Sequence, residues 1–242
     1  MYGLKFIKQL GTQSRVRRDT GLYLVESPKH IASIAACNLA LINAIIYRAG
    51  SVVPAGLETT PMQCVSPSQF NTIKTTVQSQ GVIAVVKQRV YTAPLASYKT
   101  LVLCDGIQSP GNIGRIIRTA AGLLSDCAIV MAPQCADVYH PESVRASAGS
   151  IGTMPLYRST WDRLAGHDRA WYAASPVASV PVSAIQAGAS GKIGIILGSE
   201  GQGLSESSRQ LLPTLCYIPM QQTANSLNVG VAFGIIAYTL AL

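Results

Sequence analysis

The sequence predicts an α/β protein in two parts: a small α/β domain over residues 1–97, and a mostly parallel sheet with helices on both faces over 98–242. Three observations predict it. Short β-branched runs alternate with helix-length segments that open on Ser-Pro, in LYLVESPKHIASIAAC and again in VSPSQFNTIKTTV. The strands beyond residue 100 are near-continuous apolar runs (TLVLC, CAIVM, IGIIL), the pattern of strands covered on both faces. With 48% hydrophobic and 12% charged residues, the 242-residue chain can bury a core and lacks the balance of a disordered one.

Each element follows in order. Residues 13–19, QSRVRRD, are basic and expected to be exposed. LYLVES reads as a strand, and Ser27 with Pro28 opens a helix through Cys37, as N-cap and first helical residue. ALINAIIYRAG is a second strand ending at Gly50, MQCV (62–65) a short third, SPSQFNTIKTTV a helix and GVIAVVKQ a strand. YTAPLASYK (91–99) has no period and holds a proline, so it is the expected linker. The pattern then restarts: strand KTLVLCDG, helix GNIGRIIRTAAGLL, strand CAIVMAP, helix HPESVRASAGSI and extended TMPLYR. Helix STWDRLAGHD, strands AWYAAS and KIGIILGSE, helix SESSRQLL, strand LCYIPM and helix LNVGVAFGIIAYTLAL complete the chain.

Net charge is +8 and unevenly spread. Residues 1–99 hold 11 Lys+Arg against 3 Asp+Glu, whereas residues 100–242 hold 8 of each. That asymmetry points to an N-terminal part that meets a polyanion, a nucleic acid or an acidic membrane. The six cysteines (37, 64, 104, 127, 135 and 216) form no CxxC pair, and no His stands at zinc-ligand spacing, so they read as buried free thiols of a reducing compartment. The N-terminus has no apolar core long enough for a signal peptide, and no transit peptide is evident, so the cytoplasm is expected. The C-terminal apolar run is shorter than the ~20 residues a span needs and is broken by Asn228; it reads as a buried helix.

Three strand ends in the second part carry unusual polar residues, and ligands of open α/β sheets bind beyond carboxyl ends of strands. The first is LVLCDGIQSPGNIGRIIRTAAG, where two turn signals precede Asn112 and a helix bearing Arg115 and Arg118. Arg118 stands among Ile116, Ile117, Thr119 and Ala120, which argues against a fully solvated position, and a buried arginine needs partners. The second is IGIILGSEGQGLSE, three glycines around Glu200 in neither dinucleotide nor P-loop order. It reads either as a backbone that lets a ligand come close or as a tight turn capped by Ser205. The third is YIPMQQTANSLNVGVAF, where Asn225 or Ser226 is a ready N-cap and Asn228 follows.

Together the three resemble the SpoU (TrmH) family of RNA ribose 2′-O-methyltransferases. The first motif of that family pairs Asn with Arg six residues on, matched by Asn112 and Arg118; the second is G-x-E-x-x-G, matched by Gly198, Glu200 and Gly203. The third, I-P-M-x-G-x-x-x-S-L-N, is matched by Ile218, Pro219, Met220, Ser226, Leu227 and Asn228, with Gln222 in place of the glycine and Gly230 in place of a commoner serine. More loosely, RVRRDTGLYLVESPKHI and GVIAVVK resemble the ribosomal-protein-L30-like substrate domain of this family.

The resemblance implies methyl transfer from S-adenosylmethionine to a ribose 2′-hydroxyl, in ribosomal RNA ahead of transfer RNA, without a metal. A non-catalytic RNA-binding relative and a base methyltransferase are the competing readings. It implies that Arg118 orients the hydroxyl or acts as its base, and that Asn112, Glu200, Ser226 and Asn228 hold Arg118, ribose or cofactor in register. Leu197, Gly198, Gly203, Ile218, Met220 and Leu227 would bind the cofactor; Arg15, Arg17, Arg18 and Arg145 would contact RNA, with a surface salt bridge an equal reading of Arg145. It further implies a deep trefoil knot and a homodimer formed through the catalytic domain.

Overall fold

The computed structural model describes all residues except 160–163, 165, 167, 176, 177, 222–225 and 242. The chain forms two compact units: Met1–Val90 with Asp137–Thr153, and Tyr91–Ala136 with Met154–Leu242. Residues 137–153 thus cluster with the N-terminal segment, although they fall within the expected 98–242 domain.

The first unit opens on two helices that the basic character of residues 1–20 does not announce, α1 (Leu4–Thr12) and α2 (Ser14–Thr20). Then come β1 (Leu22–Val25), α3 (Pro28–Asn38), β2 (Ile42–Arg48), β3 (Met62–Val65), α4 (Pro67–Ile73) and β4 (Val82–Lys87). The sheet order is β1-β4-β2-β3, with β2 and β3 parallel and the other pairs antiparallel. Alternate strand residues Leu22, Leu24, Ala44, Ile46, Ile83 and Val85 share one core with Ile7 and Leu10 of α1 and Phe70 and Ile73 of α4. On the pleat's other side the Tyr23 ring lies tilted against Tyr139, with ring centroids 4.8 Å apart.

The elements differ from expectation where local chemistry intervenes. β2 starts late because Asn38 Oδ1 accepts from Ala40 N and holds Leu39–Leu41 in a 3₁₀ turn. α4 has a full capping box between Ser66 and Gln69, whereas Ser27 makes no side-chain cap on α3. The helix expected over 140–151 stops at Ala146, since Ala148 and Gly149 take positive φ.

The second unit holds seven parallel strands among the described residues, in the order β7-β6-β5-β10-β8-β11-β9. They are β5 (Thr100–Cys104), β6 (Cys127–Met131), β7 (Leu156–Arg158), β8 (Ala170–Ala174), β9 (Val180–Pro181), β10 (Ile193–Leu197) and β11 (Thr214–Tyr217). The two-residue β9 has no apolar run to announce it. Among the described residues, the α-helices of this unit are α5 (Pro110–Leu123), α7 (Glu206–Arg209) and α8 (Val229–Ala241); α6 (Pro141–Ala146) belongs to the first unit. β5 and β6 are buried at every residue, as their unbroken apolar runs require. α5 and α8 pack on one another. Most of STWDRLAGHD lies outside the described residues. The segment expected as a linker packs into this unit: buried Arg169 donates to the carbonyls of Leu95, Tyr98 and Ile193.

The C-terminal helix is not buried all round. Gly230, Phe233, Ile236 and Ala237 face inward, while Val231, Ile235 and Tyr238, at i, i+4 and i+7, form an exposed apolar stripe. Among the described residues no helix is long and apolar enough to cross a membrane.

Candidate active site

The carboxyl ends of β5, β10 and β11 place the three polar segments side by side. After β10 the chain makes a tight loop in which Ser199 N donates to Gly203 O and Gly203 N to Ser199 O, at 3.0 and 2.9 Å. The loop depends on its glycines: a Cβ on Gly198 would lie 2.7 Å from the Gly203 backbone, and Gly203 has φ +67°. Buried Asp105, at the end of β5, anchors its far side by accepting from Ser205 N at 2.7 Å. Ser205 also caps α7 through Ser208 N, so this segment is both a capped turn and a backbone that a ligand can approach.

Between this loop and the β11 end lies a cleft of about 320 Å³. Leu197, Gly198, Gly203, Ile218, Met220 and Leu227 all line it, as do Glu200 and Ser226. Ala174, Cys216, Val229 and Ala232 make the rest largely apolar. Burial pushes the Cys216 thiol up to about 11, so it is a neutral wall and not a nucleophile at neutral pH.

Beside the cleft, Asn112, Glu200 and Asn228 form a closed hydrogen-bonded cluster. Asn112 sits at the start of α5, buried, its N–H held by Ser109 Oγ. Its Nδ2 donates to Glu200 Oε1 at 2.6 Å. Asn228 Nδ2 donates to the same oxygen and to Asn112 Oδ1, both at 3.1 Å. Asn228 Oδ1 accepts from Gly230 N, and its carbonyl accepts from Ala232 N. Asn228 is therefore the cap of α8, the role expected of Asn225 or Ser226, and a member of the cluster as well. Asn225 and Gln222 lie outside the described residues. The cluster leaves Glu200 Oε2 without a hydrogen bond among the described residues, on an exposed side chain.

Arg118 is not in this cluster. Six residues turn a helix roughly 240° from Asn112, and Ile113, Ile116, Ile117 and Ala120 claim the inward face. Arg118 is exposed and has no partner among the described residues. The burial expected from its apolar neighbours is corrected by that helical phase. Instead Arg115, three residues from Asn112, donates from NH1 to Asn112 Oδ1 at 2.8 Å. Spacing alone could have flagged Arg115, since i and i+3 share a helix face. The turn signal Asp105-Gly106 gives no sign that Asp105 anchors the loop after β10.

The arginines expected to meet RNA divide. Arg15 and Arg18 on α2 are exposed, as is Arg145 on α6. Arg15 pairs with Asp19 one turn on, and no salt bridge forms at Arg145 among the described residues. Arg17 is corrected: it is 2% exposed, its Nε and NH2 both lie 2.7 Å from Asp137 Oδ2, and NH1 donates to Leu10 O. A guanidinium so engaged is structural and is not available to RNA.

Residues 99–238 match the model of the SpoU rRNA Methylase family. The chain is 29% identical over 239 residues, 96% of its length and 93% of the relative, to the 23S rRNA (guanosine(2553)-2′-O)-methyltransferase RlmP of Bacillus subtilis. It is 34% identical over 148 residues, 57% of its length and 50% of the relative, to the 23S rRNA (uridine(2479)-2′-O)-methyltransferase of Streptomyces viridochromogenes. Among solved structures, the SpoU methyltransferase AviRb from S. viridochromogenes superimposes with a TM-score of 0.82 at 25% identity, over 98% of this chain and 95% of that one. AviRb has also been solved in complex with AdoMet.

Proposed function

We propose a function from one premise: the chain belongs to the SpoU rRNA Methylase family. It is an S-adenosylmethionine-dependent RNA ribose 2′-O-methyltransferase, and its substrate is ribosomal RNA. The observation that carries this reading is the apolar, glycine-walled cleft directly beside the Asn112–Glu200–Asn228 cluster. The residues present fit the cofactor. Leu197, Ile218, Met220 and Leu227 offer an apolar cradle for a neutral adenine, and Gly198 and Gly203 let the main chain approach it. When bound, S-adenosylmethionine supplies the electrophilic methyl group. The protein's part is orientation: Glu200 Oε2 is free to accept a hydrogen bond from a ribose hydroxyl, and Ser226 lines the same cleft. Exposed Arg118 is assigned the phosphate next to the target ribose and, with it, the setting of the hydroxyl. Proton abstraction by a guanidinium is disfavoured by its pKa above ~12.

The 1–97 segment is the RNA-binding part, with Arg15 and Arg18 as contacts and Arg145 added from the 137–153 segment that clusters with it; the charge excess of residues 1–99 supports this. The exposed Val231–Ile235–Tyr238 stripe supports a homodimer through α8. The knot is proposed from the family resemblance, and α8's return onto α5 from the far end of the chain accords with it. The expected location is the cytoplasm, where this RNA is found.

The test is transfer of label from methyl-labelled S-adenosylmethionine into total RNA that lacks the modification, with Asn112→Ala alongside and digestion to nucleosides. Label on ribose in the ribosomal fraction, lost in the variant, is expected. Label in transfer RNA replaces the substrate; label on a base replaces the reaction; no label with RNA still bound leaves a binding protein.

A further inference from the structure

We infer that Arg115 is a positioning residue for the methyl-transfer site, acting through Asn112; the inference rests on the function proposed above. An asparagine amide has two orientations, which exchange its donor and its acceptor. Here Asn112 Oδ1 receives Arg115 NH1 at 2.8 Å and Asn228 Nδ2 at 3.1 Å, while Nδ2 meets Glu200 Oε1 at 2.6 Å. Turned over, Asn112 would set its NH₂ against a guanidinium and its oxygen against a carboxylate. Asn228 cannot reverse to compensate, because Gly230 N holds its oxygen. Arg115 thus adds a charged donor to the Glu200 and Asn228 contacts that favour one amide orientation, and in that orientation Asn112 joins Asn228 on Glu200 Oε1 and leaves Oε2 for substrate. Arg115 is exposed, with its stem against the start of α8, where a Cβ on Gly230 would be 3.4 Å from Arg115 Cβ and 3.6 Å from Cδ. A side chain at position 230 would meet that stem at ordinary contact distance, its nearest neighbour being Asn228 Oδ1 at 3.2 Å.

The experiment compares the wild-type protein with Arg115→Met, which keeps the stem without the donors, and Arg115→Gln, which keeps a neutral donor at the same helical spacing. Single-turnover methyl transfer at saturating RNA and S-adenosylmethionine, KM for RNA and cofactor Kd are measured, with the side-chain amide resonances of ¹⁵N-labelled Asn112. The charge-assisted hydrogen bond predicts a fall in transfer rate of about 10- to 100-fold in Arg115→Met. KM and cofactor Kd should change less than about twofold, Arg115→Gln should recover part of the rate, and the Asn112 amide protons should shift or broaden in Arg115→Met alone. An unchanged rate overturns the inference. So does a rise in KM with kcat intact, the mark of a direct phosphate contact. If the wild type transfers no methyl group, the proposed function fails, and the amide resonances still decide: unchanged Asn112 signals in Arg115→Met refute the positioning role.

Discussion

Arg17 and Arg15 stand two residues apart on α2 and differ in almost every physical respect. Removing Arg17 takes the guanidinium from Asp137 in a partly buried site and frees the Leu10 carbonyl. Arg17→Ala is expected to cost about 3 kcal/mol, near the lower end for a broken buried pair, whereas Arg15→Ala, at an exposed i,i+4 pair, should stay within about 0.5 kcal/mol. Urea unfolding of the two variants measures this. Equal effects would contradict the burial. The contrast is illegible in QSRVRRD because Arg17's partner lies 120 residues away. Gly198 is legible for the opposite reason: its constraint is local. A methyl group there meets main chain 2.7 Å away, which cannot rotate aside. Gly198→Ala should therefore open the loop and weaken S-adenosylmethionine binding by about tenfold or more, since ~1.4 kcal/mol of strain suffices for that. Calorimetric titration decides it; unaltered affinity would show the loop to be adaptable.

The α8 helix shows how an element can be read correctly and placed incompletely. Its run of apolar residues announces a helix, yet an all-apolar helix does not disclose which face its own chain covers. One face packs inward; the other leaves Val231, Ile235 and Tyr238 in water. If a second copy covers that stripe, the double variant Val231→Glu/Tyr238→Glu should elute as a monomer by light scattering while keeping wild-type circular dichroism. A wild-type protein that is already monomeric would remove the proposed dimer. α1 presents the reverse case: Leu4, Ile7 and Leu10 recur every third residue in LKFIKQLGT, a helical stripe that the neighbouring arginines obscure. The strand ends of the second unit are legible because each demands a residue type for a backbone reason, such as the glycines of the 198–203 loop. The cluster geometry is not, since the phase of α5 decides whether Arg115 or Arg118 reaches Asn112.

For the whole molecule, the cysteines join composition to stability. Their sequence context reads as that of buried free thiols. Cys104, Cys127 and Cys216 are buried, but Cys37 and Cys64 are exposed, and β3, which carries Cys64, is an edge strand. Burial, with the Asp126 carboxylate a smaller contribution, pushes the Cys127 thiol up to about 12; Cys216 and Cys104 are raised in the same direction and for the same leading cause. An unfolded thiol ionises near ~8.5. Below that pH both states carry the proton and the full stability is present. As pH rises beyond it the unfolded chain sheds protons that the folded core retains, so stability is lost progressively until the folded values are reached. Lysines and tyrosines also titrate in this window, so the informative quantity is a difference. Between pH 8 and 10.5 the wild-type protein should lose about 2.5 kcal/mol more than Cys127→Ala, at ~1.4 kcal/mol per pH unit beyond the unfolded value. Urea unfolding under reducing conditions at the two pH values measures that difference, and a parallel loss in both proteins would mean that the Cys127 site admits water and ionises much as it does in the unfolded chain.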